Sequence, residues 1–173
     1  ITVFDPTQSS VSASATIHVN APAPAPKVGT WKWDGRGWWY RYEDGTYPVD
    51  ATLAIDGATY RFDARGYMRT GWVREQGLWY YHNASGAQAS GWVLDGISWY
   101  YLDPATGVMA TGWVKDGDTW YYLNPTTGKM MTGWLKDGGA WYYLKAGSGA
   151  MATGRLRIFW KWYTFSETGQ LIG

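Results

Sequence analysis

Residues Gly112 to Thr132 read GWVKDGDTWYYLNPTTGKMMT, and near-copies flank them, GWVLDGISWYYLDPATGVMAT from Gly91 and GWLKDGGAWYYLKAGSGAMAT from Gly133. Aligning Gly71, Gly91, Gly112, Gly133 and Gly154 gives a period of 20 or 21 residues. A unit this short cannot bury a core alone, so each must pack on its neighbours and the chain is expected to be a solenoid. The leucine ladder of a leucine-rich repeat, which has a similar period, is missing. Within a unit, Asp-Gly between two β-prone runs is the strongest short-range hairpin signal. With Asp116-Gly117 as a two-residue loop, Lys115 is expected to face Asp118, Val114 to face Thr119, and Trp113 to face Trp120. The constant spacing of seven in Trp72 and Trp79, Trp92 and Trp99, Trp113 and Trp120, and Trp134 and Trp141 then makes each pair a shared aromatic wall. Strand alternation puts Trp120 and Tyr122 on one face and Tyr121 with Leu123 on the other, a recognition face and a packing face.

The composition agrees with exposed aromatic surfaces. There are 14 Trp and 14 Tyr against 4 Phe, and Trp and Tyr suit positions that keep one polar end wet. Absence of cysteine excludes disulfides and thiolate metal sites. The formal net charge of +1, with basic and acidic residues interspersed, gives no basic stripe, so a nucleic-acid partner is not expected. No apolar run approaches the roughly 18 residues of a membrane helix. His18 and His82 have no neighbouring triad or metal cluster, and Asp56, Asp95, Asp116 and Asp137 read as turn formers. No catalytic residue, cofactor or metal site is expected; any catalytic domain would lie outside this chain. Residues 1–20 alternate with period 2 like the tail of a preceding β domain, and residues 21–28 form an Ala/Pro linker. Residues 29–173 form the repeat array, with about seven hairpin units of which the first two and the last are degenerate. The chain reads as part of a longer product whose targeting signal lies elsewhere.

The pattern GWVxxxxxWYYLxxxxGxMxTGW resembles the cell-wall-binding repeats of choline-binding proteins, and the opening WKWDGRGWWYRYEDGTYP resembles the entry to the choline-binding module of cell-wall amidases. That resemblance implies an all-β, left-handed β-solenoid of stacked hairpins. It also implies a secreted module held non-covalently on a Gram-positive cell wall by choline or phosphocholine of teichoic acid. Choline would sit between consecutive hairpins, in boxes made by the two tryptophans of one repeat and the second tyrosine of the next. Carried over, the boxes are Trp72, Trp79 and Tyr101; Trp92, Trp99 and Tyr122; and Trp113, Trp120 and Tyr143, with Met109, Met130 and Met151 lining them. Trp134 and Trp141 would form an incomplete site needing Trp160 or another nearby ring. Thr52 and Thr59 replace both tryptophans of the second repeat, and Arg61 replaces its second tyrosine, so Tyr81 would face a vacant junction.

Tyr80, Tyr100, Tyr121 and Tyr142 are read as packing residues. The C-terminal hairpin is a candidate homodimer contact. The alternative function is carbohydrate binding, because sugars also stack on Trp and Tyr and related aromatic repeats bind glucans.

Overall fold

A computed structural model describes residues 28–173, so the expected β tail at 1–20 and the linker up to residue 27 lie outside the described residues. Among the described residues, seven antiparallel hairpins follow one another, each a separate two-stranded sheet. They are β1 (Gly29–Trp33) with β2 (Trp38–Tyr42), β3 (Thr52–Ile55) with β4 (Ala58–Arg61), β5 (Gly71–Glu75) with β6 (Leu78–His82), and β7 (Gly91–Asp95) with β8 (Ser98–Leu102). The series continues through β9 (Gly112–Asp116) with β10 (Thr119–Leu123), β11 (Gly133–Asp137) with β12 (Ala140–Leu144), and β13 (Gly154–Ile158) with β14 (Lys161–Phe165). The architecture is all-β, a stack of hairpins rather than a closed barrel.

The register differs by two residues from the expectation. Asp116 pairs with Thr119, Lys115 with Trp120, and Trp113 with Tyr122, so the turn is Gly117-Asp118 and not Asp116-Gly117. The reason lies in backbone conformation and in a competing use for the aspartate. The first turn residue has positive φ, 56° at Gly117, which glycine adopts without penalty. Asp116 is kept in the ladder, where its carboxylate accepts a hydrogen bond from Trp92 Nε1 of the preceding hairpin at 3.0 Å. Asp95 and Asp137 are placed likewise, at 3.0 Å from Trp72 Nε1 and 2.9 Å from Trp113 Nε1. Of the four aspartates read as turn formers, Asp56 alone occupies its turn, with φ 50°. A two-residue shift preserves side-chain parity. The tryptophan pairs therefore share a face as expected, but diagonally instead of directly opposed.

The hairpins stack on a buried column at one position of every unit from the second onward: Phe62, His82, Leu102, Leu123, Leu144 and Phe165, none more than 3% exposed. Burying each leucine contributes about 1.5–3 kcal/mol. Successive units are stitched by a backbone hydrogen bond from the methionine position of one to the tryptophan carbonyl of the unit before, as in Met109 N to Trp79 O and Met130 N to Trp99 O. The methionine then lies on the next loop's glycine. A Cβ at Gly128 would stand 2.4 Å from Met109 Sδ, and φ there is 71°, so any other residue displaces the methionine and strains the backbone.

His82 is the polar member of the column. Its Nδ1 is 2.8 Å from Gly86 O, and its Nε2 is buried without a partner. Burial, followed by the nearby Arg61 and Arg69 charges, holds its pKa below the ordinary imidazole value, against the opposing Gly86 hydrogen bond. The unfolded chain therefore takes up a proton as pH falls through about 6.5, whereas the folded chain resists it. Stability is full above that pH and is lost on acidification until the folded pKa is reached. Denaturation of wild type and His82→Leu from about pH 7.5 to about pH 5 should show the variant free of a loss of up to ~1.4 kcal/mol per pH unit. Parallel profiles would exclude His82 as its source.

Candidate ligand cavities between hairpins

Alternation gives each hairpin two unlike faces, and stacking places one against the other. Trp72 shares a face with Trp79 and Tyr81 of its own hairpin, at ring-centroid distances of 6.4 and 5.1 Å. From the opposite face of the next hairpin, Tyr100 meets Trp72 edge-on at 4.7 Å. The same contacts recur for Trp92 with Trp99 and Tyr121, at 6.4 and 4.7 Å, and for Trp113 with Trp120 and Tyr142, at 6.5 and 4.9 Å.

This corrects the third ring of each expected box. Tyr101, Tyr122 and Tyr143 instead pack against the first tryptophan of their own hairpins, at 5.0, 5.1 and 5.2 Å. A side chain that shares a face with its own tryptophan cannot also face the hairpin before. Tyr101 is 7% exposed, and burial, with the Asp116 carboxylate beside it, pushes its hydroxyl pKa up. Tyr100, Tyr121 and Tyr142, read from sequence as packing residues, supply the missing walls.

Three cavities result. The first, about 300 Å³, is lined by Trp72, Trp79, Tyr100, Met109, Thr126 and Thr127. The second, about 330 Å³, has Trp92, Trp99, Tyr121, Met130, Gly147 and Ser148. The third, about 340 Å³, has Trp113, Trp120, Tyr142, Met151, Glu167 and Thr168. Met109, Met130 and Met151 each line one of the three cavities. The tryptophan pair comes from one hairpin, the tyrosine and methionine from the next unit, and the last wall from the loop of the unit after that. Trp79, Trp99 and Trp120 remain about 40% exposed (39, 41 and 39%), so a ligand reaches a ring face from solvent.

The remaining junctions vary the theme. At the last, Trp134 meets Trp141 at 6.3 Å and Tyr163 at 4.9 Å, so Tyr163 takes the place expected of Trp160, which is 88% exposed at the hairpin tip. Leu171 takes the methionine's backbone bond, to Trp141 O. At the first, Trp31 meets Tyr60 edge-on at 4.8 Å, and Met68 N bonds to Trp38 O. The sequence reading missed this set, although Trp31 and Trp38 carry the spacing of seven. Trp38 rests on Trp33 at 5.7 Å. At both ends the aspartate position holds a buried isoleucine, Ile55 or Ile158.

The Thr52–Thr59 junction is filled from within. Tyr80, not Tyr81, faces it, and the Arg61 guanidinium lies 4.1 Å from the Tyr80 ring centroid while pairing with Glu75. Glu75 ends β5 as Asp95 ends β7, so the arginine has taken over the indole's hydrogen-bonding role. Gln88 replaces the methionine, its backbone N–H donating to Thr59 O.

Among the described residues, no group of three or more His, Cys, Asp or Glu could hold a metal ion. No helix there is long and apolar enough to cross a membrane.

Comparison with known proteins matches this geometry. The model of the choline-binding repeat matches residues 70–111, 98–132 and 110–156. Among solved structures, CbpJ from Streptococcus pneumoniae is 38% identical, with a TM-score of 0.78 over 84% of this chain and 52% of that one. Choline binding protein F of the same organism is 38% identical, with a TM-score of 0.74 over 82% of this chain and 51% of that one. The modular autolysin LytC, also from Streptococcus pneumoniae, is 30% identical, with a TM-score of 0.67 over 84% of this chain and 33% of that one. The chain thus spans about half the length of the first two. No curated protein matches the sequence. With its repeats matched from residue 70 to residue 156 and hairpins of the same kind stacked on both sides, the chain belongs to the choline-binding repeat family.

Proposed function

We propose that this chain is a non-catalytic anchoring module that binds the choline groups of cell-wall teichoic acid in the cavities between its hairpins, outside the cell. The observation that carries the reading is the threefold recurrence of two tryptophans, one tyrosine and one methionine around a half-open space. A quaternary ammonium has no N–H to donate, so ring faces and a polarisable thioether satisfy it without a carboxylate. In the first two cavities no charged side chain is among the lining residues. Each ring contributes about 0.5–2 kcal/mol, so a free choline should bind with about 4 kcal/mol, near millimolar. Titration should change tryptophan fluorescence saturably, and ethanolamine, a hydrated primary ammonium, should compete poorly. Equal competition by ethanolamine would overturn the assignment.

The exposed tip of the last hairpin, Phe159 at 85% and Trp160 at 88%, is the contact through which we propose that two copies associate. Sedimentation should show a dimer that Phe159→Ser with Trp160→Ser converts to monomer; a wild-type monomer at high concentration would sink the idea.

A further inference from the structure

The first hairpin carries a cavity of a different kind. Trp39 sits at the position that in later units holds the box-closing tyrosine, but its ring packs edge-on against Tyr47, at 5.6 Å and 78°. These two rings, with Asp34, Arg65 and Tyr67, enclose about 180 Å³. Tyr67 donates its hydroxyl to Asp34 Oδ2 at 2.8 Å, and its ring stands where a side chain at Gly37 would go. Asp34 Oδ1 accepts from the amides of Arg36 and Gly37 at 3.0 and 3.3 Å, which fixes the carboxylate at the cavity. Trp39 Nε1 is buried and has no hydrogen-bond partner.

We infer that this cavity binds one neutral sugar ring, a second ligand site distinct from the choline cavities. The exclusions narrow the ligand class. A quaternary ammonium meets Arg65, with Arg36 close by, and offers the guanidinium no acceptor. A phosphate meets the ionised Asp34, which the Tyr67 hydroxyl and then the Arg36 amide hold below the usual carboxylate range. A pyranose satisfies both constraints. Its hydroxyls donate to the Asp34 carboxylate and accept from the Arg65 guanidinium, while its C–H face lies against an aromatic ring. Two rings at a right angle with polar groups of both signs form a small, oriented, mixed pocket of the kind that holds a small ligand.

The inference stands apart from the choline reading, and the test keeps the two apart. In an indole ¹H–¹⁵N spectrum, the Trp39 resonance is identified by its loss in Trp39→Phe, and the protein is held at saturating choline. Glucose, galactose and N-acetylglucosamine are then titrated singly. At least one should move the Trp39 indole saturably while the Trp72, Trp92 and Trp113 indoles stay at their choline-loaded positions. Arg65→Ala, at an exposed position, should weaken that binding about tenfold and leave the choline response intact. The proposal is overturned if no sugar moves Trp39, if choline or inorganic phosphate moves it as strongly, or if Arg65→Ala leaves the sugar affinity unchanged.

Discussion

Replacing Trp113 and Trp120 together by alanine should lower retention on choline-bearing walls by on the order of 10²-fold, far more than loss of one of three equal sites implies. Millimolar sites on one rigid solenoid hold a polymer only by engaging several choline groups at once, so removing the third cavity takes away an intramolecular binding step. The damage should stay local, because each unit of a solenoid contacts only its neighbours. Trp113 also donates to Asp137 at 2.9 Å, so the double variant frees that carboxylate and loosens one junction. The control is Trp120→Ala alone, which removes a ring that is 39% exposed. Retention on walls and free-choline affinity at the first two cavities should be measured on the same folded protein. Undiminished retention with the third cavity silent would count against multivalent anchoring.

A second large effect is expected at the Thr52–Thr59 junction. Introducing tryptophan at both threonines should leave the calorimetric choline stoichiometry unchanged, because Arg61 already lies over Tyr80 at 4.1 Å and its charge repels another cation. Adding Arg61→Tyr and Gln88→Met should create one further site of roughly millimolar strength. Removing Arg61 clears the Tyr80 face and releases Glu75, which ends β5 where Asp95 ends β7 and so can take an indole N–H from position 52 as Asp95 takes Trp72's. A new site in the double variant would show that Arg61 gives way. A folded quadruple variant with no new site would show that the backbone closes this junction.

The repeat, the hairpins, the tryptophan spacing and the methionines were legible because each depends on side-chain pattern or local turn chemistry. The register was not. Asp-Gly fits a hairpin either as the loop itself or as the last strand residue followed by a glycine, and what decides is the indole of the preceding unit, a contact between residues 24 apart in Trp92 and Asp116. The third ring was within reach. Alternation had already put Tyr122 beside Trp120, which commits it to its own hairpin, and the expectation drawn from family resemblance contradicted that reading. Trp31 and Trp38 went unrecognised because WKWDGRGWWY offers two other tryptophans, Trp33 and Trp39, and only the contact of Trp31 with Tyr60 fixes which belong to the repeat. Arg61 shows the limit of reading a substitution as a loss, since one side chain replaced the indole's donor and also occupied the space of a ligand.

Each walled cavity draws on three successive hairpins, Trp72 on the first, Tyr100 and Met109 with the second, and Thr126 with the third. An array built this way holds fewer finished cavities than units, by two, whatever its length. Deleting a unit from the middle and resealing the chain leaves a shorter array of the same design, one cavity poorer. Inserting a foreign segment of the same size interrupts every cavity that spans it. Natural length variation should therefore proceed by whole units, and a partial duplication should be read as damage to several sites rather than as the gain of a fraction of one.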